Sequence, residues 1–157
     1  SVRQYKARCV TRYDEVTTTS TEFGQLLDGF ADALGETLRT ETTMHRLWYD
    51  LRSQALFEEA LRDDVEAIDK SLEKMIWRVM QRLSELAGAP VKVPSEVAYA
   101  LLDGLFQQAL LKHLSGDKKA IATMQAGVRL VVLQMVDAPA PPRARKAAPR
   151  RKPVATA

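Results

Sequence analysis

Eleven residues of the chain, MHRLWYDLRSQ (Met44 to Gln54), bring together imidazole, indole, phenol, carboxylate and guanidinium groups from His45, Arg46, Trp48, Tyr49, Asp50 and Arg52. Trp48 and Arg52 are i,i+4 neighbours if the segment is helical, close enough for the guanidinium to stack on the indole. Such a mixture suits the wall of a small-molecule pocket, which is mainly apolar with a few polar anchors. The plainer alternative is a core Trp48 with the remaining groups on a solvated helix face.

Other chemistry is thin. There is no HExxH, GxxxxGK[ST], GxGxxG or GxSxG. The two histidines, His45 and His113, fall on different predicted helices, and Cys9 is the only cysteine, so neither an intrachain disulfide nor a Cys-based metal cluster is available. The carboxylate pairs Glu58/Glu59 and Asp63/Asp64 sit where one helix ends and the next begins, where acidic groups favour the next helix's N-terminus through its dipole. Glu66/Lys70 and Glu58/Arg62 are i,i+4 pairs of the favourable order, worth only a few tenths of a kcal/mol each. These readings imply no enzyme, no cofactor and no metal.

Positioning these residues calls for helices. At 157 residues the chain suits one domain with a real core, followed by a tail. Phe23, Leu26, Leu27, Phe30, Leu34 and Leu38 mark one amphipathic helix behind the capping-box pattern Thr19-Ser20-Thr21-Glu22. Met44, Leu47, Trp48, Leu51, Ala55 and Leu56 mark the next, expected to end near Ala60 to Arg62. Val65, Ile68, Leu72, Met75, Ile76, Val79, Met80, Leu83 and Leu86 make the longest, stopped by Gly88 and Pro90. A weaker stripe, Val2, Tyr5, Cys9, Tyr13 and Val16, precedes them all, broken by Thr17 to Ser20. No alternating strand pattern bounded by turns occurs, so the predicted fold is all-α, a bundle of about six helices.

The last two helices carry the most information. In Val97 to Leu114, one stripe runs through Val97, Leu101, Leu105 and Leu111, and a second through Tyr99, Leu102, Phe106 and Ala109/Leu110. The helix over Ile121 to Val136, with Asp117 able to cap it, has as little polar face. Helices apolar on most sides must be sandwiched, and in a chain of this size the second side calls for a partner. Gly104, at a propensity loss of roughly 1 kcal/mol relative to Ala, fits close approach by another backbone.

Charge is unevenly placed. Residues 1–12 hold four basic groups, and residues 137–157 hold six against Asp137. Taking these from the totals of 23 and 20 leaves 13 basic against 19 acidic groups over residues 13–136, a net charge of −6. The tail DAPAPPRARKAAPRRKPVATA has five prolines and no core-forming run, and reads as disordered and basic. Weak, non-specific phosphate contact by that tail, or simple solvation, are its two readings. No stretch reaches the ~20 apolar residues that span a bilayer, and no signal-peptide run opens the chain, which together suggest a cytoplasmic protein without membrane contact.

The order of helices resembles the C-terminal regulatory domain of tetracycline-repressor-like (TetR family) transcription regulators. The residues that carry the likeness are His45 to Gly88 (HRLWYDLRSQALFEEALRDDVEAIDKSLEKMIWRVMQRLSELAG), the Pro94-Ser95-Glu96 helix start, and Ala100 to Leu111 (ALLDGLFQQALL). The resemblance covers about residues 5–136. It implies a homodimer in which the last two helices meet their mates as a four-helix bundle, and a pocket in which a small-molecule effector alters DNA binding. Residues 1–16 would match the family's connecting helix, with the helix-turn-helix head absent, so that DNA would be bound only through a missing N-terminal domain. Domain 1–136 is then the sensor and 137–157 the tail.

On stripe geometry the ligand-binding candidates are Phe30, Met44, Trp48, Leu51, Arg52, Met75, Val79 and Phe106. The dimer candidates are Leu101, Gly104, Leu105, Gln108, Val128, Val131, Val132 and Met135. The rival readings are a helical small-molecule-binding enzyme or carrier using Arg52 or His45, and an interaction domain with a filled core.

Overall fold

The computed structural model describes residues 2–141, 147–150 and 153–155, and for residues 2, 3, 5, 6, 8 and 9 the helical backbone alone. Among them six α-helices form the expected all-α bundle: α1 (Val2–Thr19), α2 (Phe23–Thr40), α3 (Thr42–Gln54), α4 (Arg62–Ala87), α5 (Ser95–Leu114) and α6 (Ala120–Met135), with one 3-10 turn at Glu59–Leu61. Helix α5 packs along α6 and α4, α2 lies against α6, and α1 runs along α4 and α2. The central core joins Leu26, Phe30 and Leu38 of α2 to Met80 and Leu83 of α4 and Val128 and Val132 of α6. The stripe side chains Val2, Tyr5 and Cys9 lie outside the described residues, as do Arg143, Arg145, Lys146, Arg151 and Lys152 of the tail.

Several boundaries differ from expectation, each for a local reason. Helix α1 continues through the predicted break because Thr17 and Ser20 donate to the carbonyls of Tyr13 and Val16, both at 2.8 Å, and Thr19 to that of Glu15 at 2.9 Å. Those hydroxyls therefore do not cap α2. Instead the Gln25 side-chain oxygen accepts from the Thr21 backbone N–H at 3.0 Å. Helix α3 ends at Gln54, several residues early. The chain turns there, and Arg62 donates to the freed carbonyls of Ala55 (3.0 Å) and Leu56 (3.4 Å) instead of pairing with Glu58. The other expected pair forms, with Lys70 and Glu66 at 2.7 Å on an exposed face.

Gly88 ends α4 as expected: its φ of +66° is left-handed, and the Ala89 N–H reaches back to the Ser84 carbonyl. Asp117 accepts from the Lys119 N–H at 2.8 Å just ahead of α6. No described helix is long and apolar enough to cross a membrane.

The two stripes of α5 separate cleanly. Leu102, Phe106, Ala109 and Leu110 are buried, whereas Val97, Leu101, Leu111 and Leu114 are exposed. On α6 the division corrects the dimer assignment. Val128, Val132 and Met135 are at most 2% exposed, packed in the chain's own core and beyond reach of a second copy. The outward residues of α6 are Leu130 and Leu133, with Val131 at the boundary. Of the other candidates, Leu101, Gly104 and Gln108 face outward and Leu105 is half-buried. A Cβ at Gly104 would meet nothing within 4 Å, so no neighbouring helix of this chain approaches it; the glycine at the α5–α6 contact is Gly127, against Leu105, and the tightest is Gly35 of α2, against Gln125 of α6.

Candidate functional site

Five helices enclose a cavity of about 60 Å³. Helix α3 presents Trp48 and Tyr49 to it along with His45, whose ring packs against Phe106 of α5 at 4.7 Å. Helix α4 supplies an apolar wall of Leu72, Met75 and Ile76. Tyr13 of α1 and Leu34 and Thr37 of α2 close one end, where the Tyr13 hydroxyl meets the Thr37 hydroxyl at 2.7 Å and Thr37 donates to the Ala33 carbonyl at 2.8 Å. Helix α5 closes the other with Tyr99, Leu102 and Asp103. Tyr49 also borders an open groove between α3 and α5, with Arg46, Gly104 and Gln107 among its walls, and so stands between cavity and exterior.

The α5 end holds a cluster that joins three helices. Arg52 reaches from α3 to Asp103 of α5 at 2.5 Å, to Asp69 of α4 at 3.3 Å and to Gln107 at 3.2 Å. The Tyr49 hydroxyl donates to Asp103 at 3.0 Å, and that of Tyr99 to Asp69 at 2.6 Å. The guanidinium carbon lies 5.0 Å from the Tyr49 ring centroid and 5.6 Å from that of Trp48, which places the expected stacking across both rings. Burial, reinforced by the charge and hydrogen bond of Asp103, pushes the Tyr49 phenol far above its ordinary value. Burial does the same to Tyr99, with Asp103 and Asp69 adding to it. For Arg52, burial opposes the charge, but the hydrogen bond and charge of Asp103 outweigh it and hold the proton more tightly.

Three of the eight candidate ligand residues line the cavity: Trp48, Met75 and Phe106. Arg52 stands behind the lining, holding Asp103. Phe30 packs edge-on to Tyr13 at 6.0 Å, away from the lining, and Val79 is sealed in the core beyond Met75 and Ile76. Met44 and Leu51 are half-buried on α3 and do not reach the space. Missed were Asp69, Tyr99 and Asp103 of the cluster and Tyr13, Leu34, Thr37, Leu72, Ile76 and Leu102 of the lining, which only the packing of distant helices brings together. Tyr99 and Leu102 carried only a stripe signal, and Asp103 is a polar interruption in an otherwise apolar stretch of α5.

Among the described residues no group of three or more His, Cys, Asp or Glu is placed to hold a metal ion. Comparisons with family models, curated proteins and solved structures return no match to the chain.

Proposed function

We propose that the chain is the ligand-sensing and dimerising domain of a TetR-like transcription regulator, binding a small molecule that alters DNA binding by its parent protein. One observation carries the reading: α5 has its inner face on a cavity and its outer face apolar and uncovered. Leu102, Asp103 and Phe106 line the space, while Leu101, Gly104 and Gln108 on the same turns point away from the core. With Leu130 and Leu133 of α6, the outer residues form an apolar surface of the kind a second copy covers in a four-helix bundle. A molecule in the cavity then touches the helix that sets the partner's position. It acts by binding one dimer geometry more tightly than another, since only differential affinity shifts such an equilibrium.

Light scattering on the full chain and on Leu101→Glu combined with Leu130→Glu tests this. The native chain should have twice its 17.5 kDa mass, and the double variant should be a folded monomer. A native chain that is monomeric at tens of micromolar overturns the reading.

A further inference from the structure

The reading above leaves the ligand's chemistry open, and the cavity lining narrows it. No lysine or arginine lines the space, and Asp103 is its one acidic side chain. Just behind, two carboxylates share a single guanidinium: Arg52 bridges Asp69 and Asp103, and among the described residues neither makes a second ion pair. That end of the cavity therefore carries a net charge of −1.

Its hydrogen-bond donors are already committed. The Tyr49 and Tyr99 hydroxyls give their protons to Asp103 and Asp69, and the Arg52 fork is turned to those carboxylates and to Gln107. What remains to a newcomer is acceptor capacity: phenol oxygen lone pairs and carboxylate lone pairs. Five aromatic rings, those of Trp48, Tyr49, Tyr99, Phe106 and Tyr13, line the space, and the faces of such rings attract cations. An anion placed at that end would meet negative charge with the Tyr49, Tyr99 and Arg52 donors already taken, and a wholly apolar molecule would strip water from the acceptors without replacing it.

We propose that the cavity binds a small organic cation, an ammonium head on a short apolar body. The head lies at Asp103 and the phenol oxygens of Tyr49 and Tyr99, and the body lies between Trp48, Met75 and Phe106. This rests on the cavity being the sensor site. Size sets a bound, for about 60 Å³ is less than half of the roughly 150 Å³ that accommodates benzene in an engineered protein cavity. On that scale a body of about two carbons fits without the helices parting, and a four-carbon body requires them to give slightly. The acidic body, net −6 over residues 13–136, raises the local concentration of cations as a class.

The test compares three probes of one size, butylammonium, 1-butanol and butyrate, titrated into the full chain by calorimetry with thermal unfolding in parallel. Butylammonium should bind at least about tenfold more tightly than butanol, the margin of a charge-assisted over a neutral hydrogen bond, with butyrate weakest. Asp103→Asn and Tyr99→Phe, checked for helicity, should each weaken butylammonium, the first by about tenfold. The probe series needs no variant, so a variant that fails to fold leaves the comparison intact. Butyrate binding as well as butylammonium overturns the proposal. Butanol binding as tightly as butylammonium overturns the cation class while sparing the sensor site. Failure of all three at millimolar concentration overturns the cavity as a site, whereas dimerisation is decided separately by the mass measurement.

Discussion

Among the described residues Arg52 is the one side chain of α3 that hydrogen-bonds to both α4 and α5, and replacing it with Met removes the charge while keeping most of the volume. The magnitude follows from where the cluster sits. Arg52 and Asp103 side chains are 24% and 14% exposed, and Asp69 is 31% exposed. A fully exposed pair contributes ~1 kcal/mol or less, and removing one partner of a fully buried pair costs roughly 3–5 kcal/mol. A cluster about a quarter exposed falls between, and Arg52→Met should destabilise the fold by about 2 kcal/mol at pH 7. For a chain of this length that is a drop of about 4–8 °C in Tm. Circular dichroism at 222 nm, with heat and with urea, measures both.

A second substitution separates a charge effect from a packing effect. The variant holds two carboxylates near each other without the cation between them, so adding Asp103→Asn, which removes one of those charges and keeps the shape, should recover part of the loss. A deficit below about 0.5 kcal/mol at pH 7, or one that Asp103→Asn leaves unaltered, would refute the view of Arg52 as a tie between helices.

Tyr49 and Tyr99 make the fold sensitive to alkali. Their folded values are raised, so the stability they contribute is complete below the unfolded phenol value near 10 and is lost as the pH climbs beyond it. Absorbance at 295 nm should show at least two of the four tyrosines ionising only as helicity disappears, and Tyr49→Phe with Tyr99→Phe should remove that late step. On α6, Val132→Asp should abolish helical folding, because it places an unpaired carboxylate at a fully buried position, whereas Leu130→Asp should leave a folded protein that no longer dimerises. If circular dichroism finds Val132→Asp folded, the inward assignment of that stripe is wrong.

The contrast between α5 and α6 shows what a sequence pattern is able to specify. On α5 the polar Gln107 lies at the edge between the two apolar stripes and Gln108 within the outer one, and Leu102 and Phe106 are inside as their spacing indicated. Helix α6 has polar residues too, but they mark the wrong boundary. Arg129 pairs with Asp28 at 3.0 Å and Gln125 donates to the Ala31 carbonyl at 3.2 Å, so both reach toward α2, Arg129 along a partly exposed flank. Polar residues spent on a helix–helix flank leave the inner and outer apolar stripes indistinguishable by composition, and the dimer assignment fell on Val128, Val132 and Met135. The cavity cluster was illegible for a different reason. Tyr49 and Asp103 are 54 residues apart, Arg52 and Asp103 51, and Tyr99 and Asp69 30, so only the packing of three helices brings them together. The local Trp48/Arg52 neighbourhood was visible because one helix turn produces it.

The position of Asp103 has a consequence for how binding would reach the surface. Its side chain faces the cavity, while the next residue, Gly104, lies on the outer face with no side chain of its own. On the proposed reading a bound cation would compete with Arg52 for the Asp103 carboxylate, and a rotation of α5 that eases this competition would turn Gly104 and Leu101 relative to the helix of a second copy. Packed helices are held in a few discrete arrangements, not a continuum, so a small rotation there favours one pairing over another. The Arg52 bridge opposes that rotation in the empty protein by holding α5 to α3 and α4. Weakening the bridge should then loosen the dimer's geometry without any ligand, which gives the tie in the core and the apolar face on the surface a shared role.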